Sequence, residues 1–207
     1  MKPLRLGVFA SGRGSNFAAI LAAIDGRRLN ASVDVLISND PAAGALETAR
    51  ARGVRAETVS SAGFDSRDAF VSRLTEVLRE SGAGFIALAG YMKRVPPEVV
   101  ALYPGRIVNI HPALLPAFGG KGMYGRHVHE AVIRQGCKVT GVTVHLVDEQ
   151  YDRGPILAQR CVPVLPGDTA ETLAGRVLET EHSLYPEVLQ AFAEGRVRIR
   201  GGIAFIE

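Results

Sequence analysis

The chain has 207 residues, 47% of them hydrophobic, enough to bury the core of one large domain. Its 24 basic and 21 acidic residues leave a net charge of +3 without a dense basic stretch, which is ordinary surface charge and argues against a nucleic-acid surface. Two cysteines, neither in a CxxC pair, exclude a disulfide framework and favour a reducing cytoplasm; no apolar run approaches about 18 residues, so neither a signal peptide nor a membrane span is expected.

In chain order, the apolar run 4–10 predicts a strand, followed by the turn Ser11-Gly12-Arg13-Gly14-Ser15-Asn16 and a helix with Phe17, Ile20, Leu21 and Ile24 on one face. A second strand is predicted over 33–38, an Ala-rich helix over 43–52 ended by Gly53, and a short strand over 56–59. Residues 66–81 predict an amphipathic helix with Phe70, Val71, Leu74, Val77 and Leu78 inward, and 85–88 and 107–110 two further buried strands. Strands alternating with helices imply an α/β fold, a mostly parallel twisted sheet flanked by helices. The pattern then changes. Glycines dominate 119–125, a mobile loop by composition; 127–134 reads as a helix, and 138–147 and 156–164 as longer strands, expected to pair antiparallel. A closing helix over 170–193 buries Leu173, Val177, Leu184 and Val188, and a hairpin turns through Gly201-Gly202. Alternation in Arg196-Val197-Arg198-Ile199-Arg200 fits the wet face of an edge strand. With no linker, repeat or low-complexity segment, the expectation is a single domain of two halves, 1–100 binding nucleotide phosphate and 101–207 carrying catalysis.

The segment Asn109-Ile110-His111-Pro112-Ala113-Leu114-Leu115-Pro116 concentrates the chemistry. Its prolines forbid a regular helix or central strand, so an amide and an imidazole, two positions apart and on one side of the chain, are delivered at a strand end. Ligand crevices of open α/β sheets lie at such ends. The Gly12-Arg13-Gly14 turn suits a mononucleotide-like phosphate or a structural tight turn; a dinucleotide reading lacks its third glycine, where Phe17 stands, and there is no Lys-Ser/Thr of a phosphate loop. The acids Asp148, Glu149 and Asp152 lie in a loop ending Gly154-Pro155. Asp152 is either a partner that favours the imidazolium form of His111 or part of a solvated acidic turn. His127 and His129 are assigned to surface or loop, His145 to a satisfied core position or to one supporting the site from behind, and no metal site is expected.

Ser11-Gly12-x-Gly14-Ser15-Asn16, Leu88-Ala89-Gly90-Tyr91-Met92-Lys93, Asn109-x-His111-Pro112, Leu114-Leu115-Pro116, Thr143-Val144-His145, Asp152-x-Gly154-Pro155, and Glu181-His182 with Tyr185-Pro186 together resemble the phosphoribosylglycinamide formyltransferases over nearly the whole chain. The resemblance implies a Rossmann-like formyltransferase fold with antiparallel strands in its C-terminal part. It implies transfer of a formyl group from the co-substrate 10-formyltetrahydrofolate to the amine of glycinamide ribonucleotide in purine biosynthesis, by a cytoplasmic monomer or homodimer without metal, nucleic acid or membrane. It places Asn109, His111 and Asp152 in catalysis, Gly14, Ser15 and Asn16 on the substrate phosphate, and Glu181 on its ribose. Arg67, Met92, Lys93, Arg94, Val95, Asn109, Asp148, Glu149, Gln150, Tyr151 and Asp152 would contact folate. Two departures stand out: Lys93 replaces a common arginine, a point charge in place of a fork, and the loop 118–125 looks long. In this scheme a protonated, exposed His111, its pKa raised above the reference value by Asp152, and the Asn109 N–H stabilise a tetrahedral oxyanion. Formyltetrahydrofolate hydrolase is the nearest alternative, disfavoured because its N-terminal regulatory domain has no room before Leu4. Methionyl-tRNA formyltransferase needs an RNA-binding domain beyond the final helix. A nicotinamide-binding oxidoreductase and a non-catalytic nucleotide-binding module are the readings from other classes.

Overall fold

A computed structural model describes residues 2–207. Seven strands form one sheet in the order β3-β2-β1-β4-β5-β6-β7, and a separate hairpin pairs β8 with β9. The chain divides into two compact units, one ending at Val108 and the other running Asn109–Glu207.

In the first unit β1 (Leu4–Phe9) pairs in parallel with β2 (Ala31–Ser38) and β4 (Phe85–Leu88), and β2 pairs in parallel with β3 (Ala56–Thr58). The helices α1 (Ser15–Asp25), α2 (Gly44–Ala51) and α3 (Arg67–Ser81) connect them. The last four residues of β1 and all of β4 are buried, as expected of parallel strands covered on both faces. The boundaries of α3 are chemical. Ser66 accepts a hydrogen bond from the Ala69 N–H at 3.1 Å, and Gly82 ends the helix at φ 69°. Phe70 and Ile24, expected inward, are half-buried, because each lies at the margin of its helix's apolar stripe. A short helix, α4 (Pro97–Leu102), was not expected; Pro97 occupies its first turn, where a missing N–H costs nothing.

The sheet order makes the reversal fall between β1 and β4. The two strand exits are stitched together there: Ser11 N–H donates to Gly90 O at 3.0 Å, and Met92 N–H to Ser11 Oγ at 2.8 Å. Such a reversal is where open α/β sheets open a crevice beyond their strand ends.

The second unit begins within β5 (Ile107–His111), continues through α5 (Arg126–Arg134), and contains the antiparallel pair β6 (Val139–Leu146) and β7 (Ile156–Pro163). Closing helix α6 (Ala170–Ala193) packs on α5, β6 and β7. A reciprocal cap between Thr169 and Thr172 fixes its start, and Arg176 pairs with Asp168 at 2.8 Å. Leu173, Val177, Leu184 and Val188 are buried as expected. Pro186 stands inside this helix and withholds the N–H that would bond to the carbonyl of His182. The hairpin of β8 (Val197–Arg200) and β9 (Ile203–Ile206) turns at Gly201-Gly202.

The β6–β7 connection carries Asp152 and leaves no space for a side chain at Gly154, where a Cβ would overlap the Leu146 carbonyl. Gly175, in α6, has nothing near its missing Cβ. Gly154→Ala is therefore expected to lower stability by about 1–3 kcal/mol through overpacking, and Gly175→Ala to raise it by about 0.5–1 kcal/mol through the cost of helical glycine. Urea unfolding of both variants checks the pair; equal effects would contradict the close approach.

Candidate active site

β5 ends in Asn109, Ile110 and His111, and the prolines that follow turn the chain out of the sheet. Asn109 Nδ2 lies 3.1 Å from His145 Nε2, on β6. His145 Nδ1 is 2.8 Å from the Leu146 carbonyl, which only accepts, so Nδ1 carries the proton. In the neutral ring Nε2 is then an acceptor for one Asn109 N–H. That bond fixes the amide's orientation and leaves it a second N–H to offer.

The same logic assigns His111. Its Nε2 is 2.8 Å from the Phe118 carbonyl and donates to it. Its Nδ1 faces Asp152 Oδ2 at 3.9 Å, beyond direct hydrogen bonding. Asp152 Oδ2 also accepts from the Gly120 N–H at 2.8 Å, and Oδ1 lies 3.6 Å from His145 Nε2. One carboxylate thus faces two imidazoles and holds the loop after Pro116. Both residues that bring this loop and the acid together, Phe118 and Asp152, have left-handed backbones, at φ 55° and 53°. For residues with a Cβ this is a strained geometry of the kind that collects at functional sites. Gly119, between the two loop contacts, has no room for a Cβ against Leu115 and Asp152.

His111 is not exposed. It is 4% accessible, with its Nε2 against the Phe118 carbonyl of the loop that follows. Its pKa is displaced accordingly. Burial lowers it, and this outweighs the opposing attraction of Asp152 and the bond to Phe118 O, so the expected rise is reversed. Burial likewise disfavours the Asp152 carboxylate, but the contacts from His145 and Gly120 and the field of His111 together hold its pKa below the usual range. Asp152 is anionic beside a neutral His111 at neutral pH.

His129 also departs from expectation. Its position on α5 is buried at 4% accessibility, Nδ1 has no hydrogen-bond partner, and burial lowers its pKa. Nothing in the i, i+2 spacing of His127 and His129 separates a wet histidine from a dry one until the helix docks its face; His127 is exposed and near Glu130. His182 is half-buried and shifted in the same direction. Glu181 is only 8% exposed, uncommon for an acid.

The remaining candidates lie as follows. In the first unit Gly14, at φ 81°, precedes α1 with no side-chain cap, and a Cβ there would come within 2.7 Å of Ala45 Cβ. Ser15 is half-buried and Asn16 buried. Arg67 is exposed and gripped by both oxygens of Glu98, at 2.7 and 2.8 Å. Met92, Lys93 and Arg94 are exposed, whereas Val95 is buried. In the second unit Asp148, Glu149, Gln150 and Tyr151 are exposed, and Asp148 Oδ1 caps the Gln150 N–H at 2.7 Å. Among the described residues no group of three or more His, Cys, Asp or Glu is placed to hold a metal ion, and no helix is long and apolar enough to cross a membrane.

The family model described as formyl transferase matches residues 4–189. The chain belongs to the formyl transferase family. Among relatives of this formyl transferase, a chloroplastic phosphoribosylglycinamide formyltransferase of Arabidopsis thaliana is 46% identical over 98% of this chain and 70% of its own length. The phosphoribosylglycinamide formyltransferase of Escherichia coli is 35% identical over 97% of this chain and 92% of its own. A crystal structure of glycinamide ribonucleotide transformylase 1 from Symbiobacterium toebii superposes with a TM-score of 0.93 at 43% identity, covering 99% of this chain and 94% of that one.

Three histidines with lowered pKa values make stability acid-sensitive. Each unfolded ring titrates near 6.5 and each folded ring lower, so the unfolded chain binds more protons in between. Stability is therefore lost as pH falls below 6.5, until the folded rings themselves titrate. The lowered Asp152 adds a separate loss that begins only near the carboxylate range, as pH falls below its unfolded value of 3.8. Urea midpoints measured from pH 8 to 5 should fall, and fall less in His129→Gln; a flat profile would contradict the burial of neutral rings.

Proposed function

We propose that this chain transfers the formyl group of 10-formyltetrahydrofolate to the amine of glycinamide ribonucleotide, as the names of its relatives indicate. The observation that supports the reading is the cluster beside the end of β5, where Asn109 Nδ2 lies 3.1 Å from His145 and Asp152 lies 3.6 Å from His145 and 3.9 Å from His111, an amide donor, a carboxylate and imidazoles in one chain of contacts. Formyl transfer to an amine needs these three kinds of group. The amine lone pair adds to the formyl carbon, the carbonyl becomes an oxyanion, and the folate nitrogen leaves when that oxyanion collapses. The amine loses one proton and the departing nitrogen gains one.

The remaining N–H of Asn109 is assigned to the oxyanion, a donor of the kind worth roughly 3–4 kcal/mol in the transition state. His111 acts first as a base. Its neutral Nδ1 lone pair takes the amine proton. The resulting imidazolium is stabilised by Asp152 and returns the proton to the leaving nitrogen. The lowered pKa of His111 thus serves the attack, and Asp152 serves the charge that follows.

Gly14, Ser15 and Asn16 are assigned to the substrate phosphate, at the start of α1, which has no side-chain cap, and Glu181 to the ribose hydroxyls. Arg67, Met92, Lys93, Arg94 and Val95, with the segment 148–152, are assigned to folate; Arg67 has to share or release Glu98 to meet a folate carboxylate. Free Cys137 and Cys161 fit a reducing compartment such as the cytoplasm.

The deciding experiment mixes the protein with 10-formyltetrahydrofolate, with and without glycinamide ribonucleotide. Amine-dependent tetrahydrofolate is expected; release of formate irrespective of amine would instead support a hydrolase. His111→Asn, chosen because the ring is buried and truncation to alanine would leave a hole, should stay folded and lose roughly 10²–10⁴-fold in kcat. Asp152→Asn should lower the NMR titration midpoint of His111 further, since the carboxylate is what opposes burial; an unchanged or higher midpoint would sink the pairing. Glu181→Ala should weaken glycinamide ribonucleotide binding more than folate binding by calorimetry, and equal losses would remove its assignment.

A further inference from the structure

After His111 the chain leaves the sheet, and its backbone polar groups have no strand ladder to join. Two side chains from the neighbouring strands take them up. Thr143 Oγ1 accepts from the Leu115 N–H at 3.0 Å and from Gln159 Nε2 at 3.0 Å, and donates to Ala113 O at 2.7 Å. A hydroxyl has one proton, so accepting twice commits that proton to Ala113, and Thr143, fully buried, is saturated. Gln159 Nε2 also lies 2.8 Å from Leu115 O, so its two N–H groups serve Leu115 O and Thr143 Oγ1. Leu115 is thereby held at both its N–H and its C=O. Its side chain closes on Gly119, where no Cβ fits, and the residues flanking Gly119 bond to His111 and Asp152.

Gln159 itself is exposed, on β7. An exposed glutamine has no packing reason to spend both N–H groups on a loop carbonyl and a buried hydroxyl, and long polar side chains lose rotamer freedom when fixed. We propose that Gln159 is a positioning residue for formyl transfer, clamping Leu115 against Thr143 so that the 118–120 segment holds the His111 ring and Asp152 in register. It touches neither substrate nor reacting atoms. The assignment rests on the catalytic reading of His111 given above.

The test is Gln159→Leu, which keeps bulk and removes both donors, with Gln159→Met as a second isostere read in the same way should the first not fold. Because the side chain is exposed, its loss opens no core cavity. The expectation is a kcat lower by roughly 10- to 100-fold, the cost of a misplacement near 1 Å, with KM for both substrates within about twofold. The His111 NMR titration midpoint, recorded without substrate, should rise toward 6.5 as the loop loosens and burial, the largest influence on it, is relieved; the substitution removes none of the titratable groups that face it, Asp152, His145 and His129. Wild-type kcat, or a fall in thermal stability with the His111 midpoint unmoved, would overturn the proposal. The titration needs no turnover, so a moved midpoint in a protein that transfers no formyl group would leave the clamp standing and remove the proposed reaction instead.

Discussion

The Asp152 carboxylate sits where three requirements meet. It must stay ionised though only 13% exposed, it must face two histidines, and it must tie down the loop that covers one of them. A buried carboxylate without partners would take up a proton. Here the contact with His145 and the Gly120 N–H oppose that. Reaching this position requires a left-handed backbone at Asp152, and the turn is closed by Gly154 against the Leu146 carbonyl. The sequence Asp152-Arg153-Gly154-Pro155 is thus a device for delivering one charge, with the glycine demanded by contact as much as by flexibility.

His111 and His145 show how hydrogen-bond geometry divides labour between chemically identical groups. Each donates one ring proton to a backbone carbonyl, which fixes its tautomer. In His145 the remaining nitrogen is spent on Asn109, so that ring orients an amide. In His111 the remaining nitrogen faces Asp152 across a gap and is left for chemistry. Burial of His111 keeps it neutral until a proton arrives, and a nearby anion makes that arrival affordable.

Much of the fold is legible in the sequence because each signal is local. Ser66 and Gly82 bracket α3, the Thr169 cap and a run of apolar residues at helical spacing mark α6, and strand residues 85–88 are apolar throughout. Asn109, His111 and Asp152 are legible as residues, since prolines and glycines mark their turns. What surrounds them is not. The glycines of 118–120 suggest mobility in sequence, but this backbone is fixed by bonds to the side chains of His111 and Asp152, 7 and 32 positions away. The sign of the His111 shift follows from burial of the ring, which outweighs the charge of Asp152 and has no local mark in the sequence. The burial of His129 is hidden for the same reason, and Gln159 gives no local signal because its partners are the carbonyl of a distant loop residue, Leu115, and the Thr143 hydroxyl on the neighbouring strand.

The central claim is that His111 rests as a neutral ring protonated on Nε2, with Nδ1 turned to Asp152 and open. Long-range ¹⁵N–¹H NMR of the imidazoles at pH 7.5, with the His111 signals assigned by His111→Asn, reads this directly. The expected spectrum is a neutral His111 with its proton on Nε2, and a His145 that carries a proton on Nδ1. An imidazolium at His111, or a neutral ring protonated on Nδ1, would contradict it.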